Sequence, residues 1–295
     1  MKHVVVFSAD LHGNELQYRK LVKFAISKSA DSLIIGGDLA PLKAHGKRFI
    51  YDQRAFLSKR LPRILSPLKR KLPNCQVYLI MGNDDCACNI DVLEGSDYFH
   101  FISGRRLRLT GDFDIVGYSY VPITPFMLKD WEKFHLSEAP EDLALRYVIR
   151  KVVNYRLYGY RSSLEGLRKF RFTKTMEGEY SIQKDLKNSI YIKNPEKTVY
   201  VIHTAPDNTR LDVRYDGMHV GSMAVRLFIE QYQPYLTLHG HIHETVAISG
   251  EFKEEIGNSL CLSAGNDNFG NYKPNDLSIL IFDLYNLKSV KRQII

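Results

Sequence analysis

The sequence predicts a layered α/β fold, and three observations lead to this prediction. Short apolar runs rich in β-branched residues recur along the chain, and each ends in Gly, Asp, Asn or His. These runs are continuous rather than alternating, which is typical of strands that are buried on both faces. Segments with helical apolar spacing lie between several of them. The predicted strands are 4–7, 33–35, 77–81, 115–118, 198–202, 235–238 and 278–282.

Helices are predicted after Asn14, where Leu21, Phe24 and Ala25 share one helical face, and after Gly217. Residues 43–71 also have a helical pattern, which prolines interrupt at positions 62 and 67. The long interval between the strands 115–118 and 198–202 is mostly helical in character. We therefore expect one domain over residues 1–295, with a mostly helical insertion or cap at 127–195.

Composition excludes several classes of protein. The 295 residues are 44 % hydrophobic and 25 % charged, which excludes wholesale disorder and fibrous repeats. Four cysteines are too few for a disulfide scaffold. No apolar run approaches the roughly 20 residues that span a bilayer, and the initial Val run is too short for a signal peptide. We expect a soluble, cytoplasmic protein without membrane attachment.

The net charge of +8 is concentrated in two segments. Residues 43–71 carry ten Lys or Arg against one Asp, and residues 145–174 carry nine against one Glu, so the rest of the chain is net negative. The second segment also interleaves tyrosines and phenylalanines with its cations, which is typical of single-stranded nucleic acid binding. A solvated amphipathic helix, a cap that steers anionic substrate and an oligomer contact are the alternatives.

Polar side chains follow five of the predicted strands. Because residues i and i+2 of an extended segment project to one side, Asp10 with His12, and His241 with His243, should each point into one cleft. Mixed oxygen and nitrogen donors suit Mn, Fe, Zn or Ni. Seven donors exceed the four of one structural zinc site and suit two metals that share a carboxylate. The seven are Asp10, His12, Asp38, Asn83, His203, His241 and His243.

The order of these residues resembles that of the calcineurin-like metallophosphoesterases, whose blocks are Asp-x-His, Gly-Asp, Gly-Asn-His-Asp/Glu, His and Gly-His-x-His. All five blocks occur in order between residues 10 and 243. The segments 129–132 and 219–221 are similar to the prokaryotic subgroup related to cyclic-nucleotide phosphodiesterases. The resemblance implies an α/β/β/α sandwich and a dinuclear hydrolase that acts on anionic phosphoesters.

Carried over position by position, the resemblance implies two metal sites that share Asp38. One metal would be held by Asp10, His12, Asp38 and His243, and the other by Asp38, Asn83, His203 and His241. Two divalent ions are expected, with Mn favoured over Fe, Zn and Ni, and a bridging hydroxide would attack the phosphorus.

The sequence departs from the family pattern at Asp84, where relatives usually carry His. Two nearby cations should lower the pKa of this carboxylate, which would make it a poor proton donor and repel a monoester dianion. Phosphodiesters are therefore the expected substrates, with monoesters as the lesser alternative. We name Asp84 and His203 as the catalytic candidates.

Two other functions stay open at this point. One is a nuclease that holds DNA or RNA through the basic insertion, and the other is a non-catalytic interaction module on the same fold. Arg210 and His219 are candidate substrate contacts. A reactive thiol at Cys86 or Cys88 is weighed against simple packing of the turn after Asn83.

Overall fold

Two six-stranded mixed sheets form the centre of the molecule. The computed structural model describes residues 1–42, 47–137, 156–266 and 275–295. In the first sheet, the parallel strands β1 to β4 are joined at one edge by the antiparallel strands β15 and β16. These strands are β1 (Val4–Ser8), β2 (Ser32–Gly36), β3 (Gln76–Ile80), β4 (His100–Phe101), β15 (Ser278–Asp283) and β16 (Asn286–Ile294).

The second sheet has the order β13-β14-β12-β11-β6-β5, with a parallel centre and an antiparallel strand at each edge. Its strands are β5 (Arg106–Arg108), β6 (Asp114–Tyr118), β11 (Thr198–Ile202), β12 (Leu236–His239), β13 (Lys253–Ile256) and β14 (Ser259–Ser263). All seven strands that the sequence predicts are confirmed in the two sheets.

The sheets pack face to face, and helices cover their outer faces. Phe7 and Ile34 of the first sheet pack with Val199 and Leu238 of the second in one buried cluster. Neighbouring residues point the other way, because successive side chains of a strand alternate between faces. Those of the first sheet pack against α1 (Glu15–Ser27) and α3 (Leu61–Lys71), and those of the second against α6 (Met223–Tyr232). The α/β/β/α order that the family resemblance implies is confirmed.

The basic segment after β2 is helical throughout its described part. It consists of α2 (Lys47–Ala55), a π-helical turn (Phe56–Arg60) and α3. Pro62 directly follows the π-helical turn, in the first turn of α3, and Pro67 lies inside the same helix. The helical prediction for this segment is confirmed, except at residues 43–46, which lie outside the described ranges.

The described part of 127–195 differs from the helical expectation. Residues 158–171 form a β-hairpin of β9 (Tyr158–Ser163) and β10 (Gly166–Arg171). The helices there are short, α4 (Ile182–Leu186) and α5 (Ser189–Ile192). Aromatic residues alternate with period two at 158/160 and 170/172, which is a strand pattern that the helical prediction left out of account. Residues 138–155, where the rest of the predicted helical segment falls, lie outside the described residues.

Two shorter strands, β7 (Val121–Pro122) and β8 (Glu132–Lys133), pair beside the hairpin, and α7 (Thr245–Ser249) follows the last predicted ligand. The part of the chain that the structure describes contains no helix long and apolar enough to cross a bilayer.

Candidate metal centre

The predicted ligands lie where parallel strands of the two sheets end. Asp10, Asp38 and Asn83 follow β1, β2 and β3 of the first sheet, and His203 and His241 follow β11 and β12 of the second. The carboxyl ends of parallel strands are the place where open α/β sheets build their sites. The packing of the two sheets therefore brings residues that are far apart in the chain into one cleft.

Four of the predicted ligands form a compact cluster. One donor atom each from Asp10, His12, Asp38 and His243 lies within 4.8 Å of the other three. The two imidazole Nε2 atoms are 3.2 Å apart, and the Nε2 atom of His243 is 3.7 Å from a carboxylate oxygen of Asp10. This is the set that the sequence assigns to one metal.

The remaining predicted ligands lie around the other side of Asp38. The Nε2 atom of His203 is 3.4 Å from Asp38 Oδ2 and 3.2 Å from Asn83 Oδ1. The Nδ1 atom of His203 is 2.7 Å from the carbonyl oxygen of Gly36, so Nε2 is left to face the cleft. The His241 ring centroid lies 5.4 Å from that of His203. Asp38 thus contacts both groups of residues, as a shared ligand would.

The side chains converge through left-handed backbone rather than extended backbone. Asp10, His12, Asp38 and His241 have φ values of 59°, 44°, 51° and 70°. Asp10 and His12 therefore do not alternate along an extended strand, as the sequence predicts, although the two side chains do point into one cleft. Non-glycine residues in this region are strained, and such strain concentrates at functional sites.

Close approach of the backbone explains the glycine at position 82. A Cβ atom there would overlap Asp38 Oδ1 and would lie 2.5 Å from His203 Nε2. Only glycine lets this segment pass so close to the two ligands.

Two buried residues that the sequence reasoning missed hold the ligand loops in place. Asp85 accepts hydrogen bonds from the backbone nitrogens of Leu39, Ala40 and Gly82, at 2.9–3.0 Å. Asn266 donates to the carbonyl oxygens of residues 9 and 10, at 3.2 and 3.1 Å. Asp85 is the last residue of the family block that contains Asn83. Its place in this block is the sequence signal that could have identified it.

Electrostatics within the cluster favour a bound cation. Burial raises the pKa of Asp38, but the His203 imidazole outweighs it and holds the pKa below its ordinary value. Burial lowers the pKa of His203, but the Asp38 carboxylate outweighs it and raises the pKa to about 9. Burial, followed by His203, lowers the pKa of His241 to about 3, and burial lowers that of His12. Ionised carboxylates and neutral imidazoles are the forms that bind metal ions, so Asp38, His12 and His241 have the required form. His203 is protonated beside Asp38 at neutral pH and must lose its proton when a metal binds.

The donor set fits divalent metals. Two imidazole nitrogens 3.2 Å apart are neighbours of the buried carboxylates of Asp10 and Asp38. Buried carboxylates need a positive partner, and a divalent cation supplies one to all four donors at once. Asp10, His12, Asp38 and His243 could hold one ion, and Asp38, Asn83, His203 and His241 a second.

Asp84 borders the same cleft. Its backbone nitrogen donates to Asp38 Oδ1 at 2.9 Å, and its Oδ2 atom is 3.8 Å from His12 Nδ1. Among the protein groups alone, burial and then the Asp38 and Asp85 carboxylates raise the pKa of Asp84. The lowered pKa expected from the sequence depends on two cations and stays a prediction.

The other residues singled out from the sequence have ordinary structural partners. Arg210 is 64 % exposed and forms an ion pair with Glu251 at 3.3 Å. His219 Nδ1 lies 2.7 Å from Asp212 Oδ1. Cys86 and Cys88 carry free thiols whose pKa is raised by burial, so neither is a stabilised thiolate. These contacts favour the packing interpretation of the two cysteines over a reactive thiol.

The model of the calcineurin-like phosphoesterase family matches residues 3–245, which contain all seven predicted ligands. The chain belongs to the calcineurin-like phosphoesterases. The members of this family are hydrolases with dinuclear metal centres. The four-residue cluster is the potential metal site of this chain. No curated protein matches the chain.

Solved structures with similar folds include the protein TT1561 of Thermus thermophilus. That structure has a TM-score of 0.56 and 17 % identity, and the match covers 100 % of this phosphoesterase and 99 % of that chain. A dimetal phosphatase from Danio rerio matches with a TM-score of 0.48 and 11 % identity over 95 % of both chains. An archaeal phosphodiesterase matches with a TM-score of 0.38 and 11 % identity over 99 % of both chains. At these identities, the Thermus structure supports the shared fold alone.

Proposed function

We propose that this phosphoesterase hydrolyses phosphodiester bonds with the help of two divalent cations, preferably Mn²⁺. The observation that carries the proposal is the cluster of Asp10, His12, Asp38 and His243, whose donor atoms lie within 4.8 Å of one another at the strand ends. One cation held there, and a second held by Asp38, Asn83, His203 and His241, would supply Lewis acidity and lower the pKa of a water molecule, which is the attacking group that the family resemblance implies.

The chain's own residues would position these ions rather than react themselves. Asp38 lies between the two groups of ligands and is the proposed shared carboxylate. The carbonyl oxygen of Gly36 orients the ring of His203 so that Nε2 faces the cleft. A hydrogen bond to the ring nitrogen that does not face the metal orients metal-ligating imidazoles in proteins generally.

The preference for diesters over monoesters rests on Asp84. Its carboxylate borders the cleft, 3.8 Å from one imidazole of the four-residue cluster. A negative charge at this position repels a monoester dianion more than a diester monoanion. The proton-donating histidine usual at this position is replaced by a carboxylate, so substrates with good leaving groups should react best.

A chelation experiment tests the proposal. The protein is stripped of metal with EDTA, assayed on bis(p-nitrophenyl) phosphate, and then supplied with Mn²⁺ or Ni²⁺. Hydrolysis should disappear on chelation, return with metal, and fall at least ~100-fold in Asp38→Ala. Asp97→Ala, which removes an exposed carboxylate outside the site, is the control. Activity that is indifferent both to chelation and to Asp38→Ala would contradict the proposal.

Metal content separates catalysis from the alternative of a non-catalytic interaction module. We expect two bound metal ions per chain together with turnover. Metal bound without turnover on any of a panel of diesters, cyclic nucleotides and dinucleotides would favour the interaction module.

A further inference from the structure

One face of the hairpin carries two tyrosines and two cations in direct register. Tyr158 is paired with Arg171, and Tyr160 with Lys169. Directly opposed residues of an antiparallel pair share a face, and residues two apart along a strand share it too. These four side chains therefore form one surface, which we call the tyrosine face.

The tyrosine face borders a groove of about 420 Å³. The volume lies within the range of about 300–1,000 Å³ that is typical of small-molecule sites. Tyr158 is 58 % exposed, so its ring is accessible to a ligand. The groove is lined by Met127, Tyr158, Gly159, Tyr160, Lys169, Phe170 and Arg171.

The cations of the two hairpin faces have different environments. On the opposite face, Arg161 lies 3.7 Å above the ring of Phe170 and donates to Tyr180, and Arg168 is paired with Glu165. On the tyrosine face, Lys169 and Arg171 are exposed, and neither has an ion-pair partner in the described part of the chain. The guanidinium of Arg156 adds a third cation, 5.1 Å from the ring centroid of Tyr158. This surface is thus complementary to an anion that also carries flat rings.

The hairpin is fastened to the loop that carries Asn83. Asp130 accepts hydrogen bonds from the backbone nitrogens of Ala87 and Ser162, both at 2.8 Å. The hydroxyl oxygen of Ser162 accepts from the backbone nitrogen of Cys88 at 3.1 Å. Cys88 is five residues from Asn83, a reach of at most about 18 Å. Asp130 and Ser162 therefore hold the hairpin against the segment that follows Asn83.

We propose that the tyrosine face binds single-stranded polynucleotide, DNA or RNA. Two bases would stack on Tyr158 and Tyr160, whose positions along β9 are about 7 Å apart. Lys169 and Arg171 would contact the phosphates between them. This inference deepens the proposed function, because it names polynucleotides as the class of phosphodiester substrate. It rests on the proposed function for hydrolysis of the polynucleotide but not for its binding.

The test measures binding in EDTA, where turnover cannot contribute. Fluorescein-labelled dT20 and U20 are titrated with protein and followed by anisotropy at several salt concentrations. We expect binding to weaken as the salt concentration rises. The slope of the logarithm of the binding constant against the logarithm of the salt concentration should become shallower by about 0.7 when Arg171→Ala removes one phosphate contact. Tyr158→Ala should weaken binding about 5- to 150-fold, and Tyr158→Phe should restore it because stacking needs only the ring. The ratio of the two affinities tells DNA preference from RNA preference.

Arg168→Ala is the matched control, because it removes the same charge from the opposite face of the same strand. It should leave both polynucleotide binding and hydrolysis of the aryl diester unchanged. The inference is overturned if dT20 and U20 both fail to bind, if Arg168→Ala weakens binding as much as Arg171→Ala, or if inorganic polyphosphate binds as tightly as the oligonucleotides. An inactive protein that still binds dT20 through Tyr158 would refute the proposed function and leave this inference standing.

Discussion

Both carboxylate oxygens of Asp85 accept a hydrogen bond from the backbone nitrogen of Leu39, at 3.0 and 2.9 Å. The same carboxylate accepts from Ala40 and Gly82, so it joins the loop of Asp38 to the loop of Asn83. The distance between these two ligands is therefore set by a residue that is not itself in the predicted ligand set.

Replacing Asp85 should loosen the metal centre and the fold together. Asp85→Ala leaves three buried backbone N–H groups without an acceptor, so we expect the free energy of unfolding to fall by about 3 kcal/mol or more. Asp85→Asn keeps one acceptor oxygen and should lose less. Urea unfolding measures the free energy of unfolding of both Asp85 variants, with Asp97→Ala as the control. Equal stability of Asp85→Ala and the native protein would show that the loops are held by other contacts.

Gly82→Ala should damage the site selectively. The added methyl group would overlap Asp38 and crowd His203, so the affinity for Mn²⁺ should fall at least ~10-fold. Calorimetric titration of metal-free protein measures this affinity. Gly111→Ala is the matched control, because no atom lies within 4 Å of a Cβ atom at that position. Unchanged Mn²⁺ affinity in Gly82→Ala would mean that the backbone there does not constrain the ligands.

Substitution of Asp84 should change the balance between substrates. Asp84→Asn removes the negative charge and should raise kcat/KM for p-nitrophenyl phosphate relative to its bis ester, by about 10-fold or somewhat more. Asp84→His should raise it further, because imidazole can also donate a proton. The native protein should prefer the diester. A native protein that prefers the monoester, or an Asp84→Asn ratio equal to the native one, would contradict the assigned role.

Glu132 should make stability depend on pH. Burial outweighs the Lys129 ammonium and the hydrogen bonds of Thr124, and it raises the pKa of Glu132 from 4.5 to about 7. The folded protein thus holds this proton more tightly than the unfolded chain does. The stabilisation is complete below about pH 4.5 and is lost as the pH rises through about 7.

Glu132→Gln removes this titration. Between about pH 4.5 and 7, the stability of the native protein should fall relative to that of the variant by about 1–3 kcal/mol. Urea unfolding at several pH values measures the difference, and the exposed Glu196→Gln serves as the control. A difference that is constant with pH would show that Glu132 stays ionised beside Lys129.

Seven of the strands, the order of the blocks and the seven candidate ligands could be predicted from the sequence, because each depends on local pattern. Continuous apolar runs identify buried strands, and the polar residues at their ends follow directly from chain order. The four-residue cluster of Asp10, His12, Asp38 and His243 corresponds to one of the two ligand sets that the family resemblance implies.

Other features were decided only by tertiary contacts. The ligands converge through left-handed turns at Asp10 and His12, which close packing imposes and which chain spacing does not reveal. The role of Asp85 depends on N–H groups 45 and 46 residues away in the chain. Residues 158–171 form a hairpin where a helix was expected, because the two segments pair with each other as antiparallel strands. The sequence by itself determined which chemical groups are present, whereas the folded backbone determined which of them meet, since distances across two packed sheets are not encoded in local periodicity.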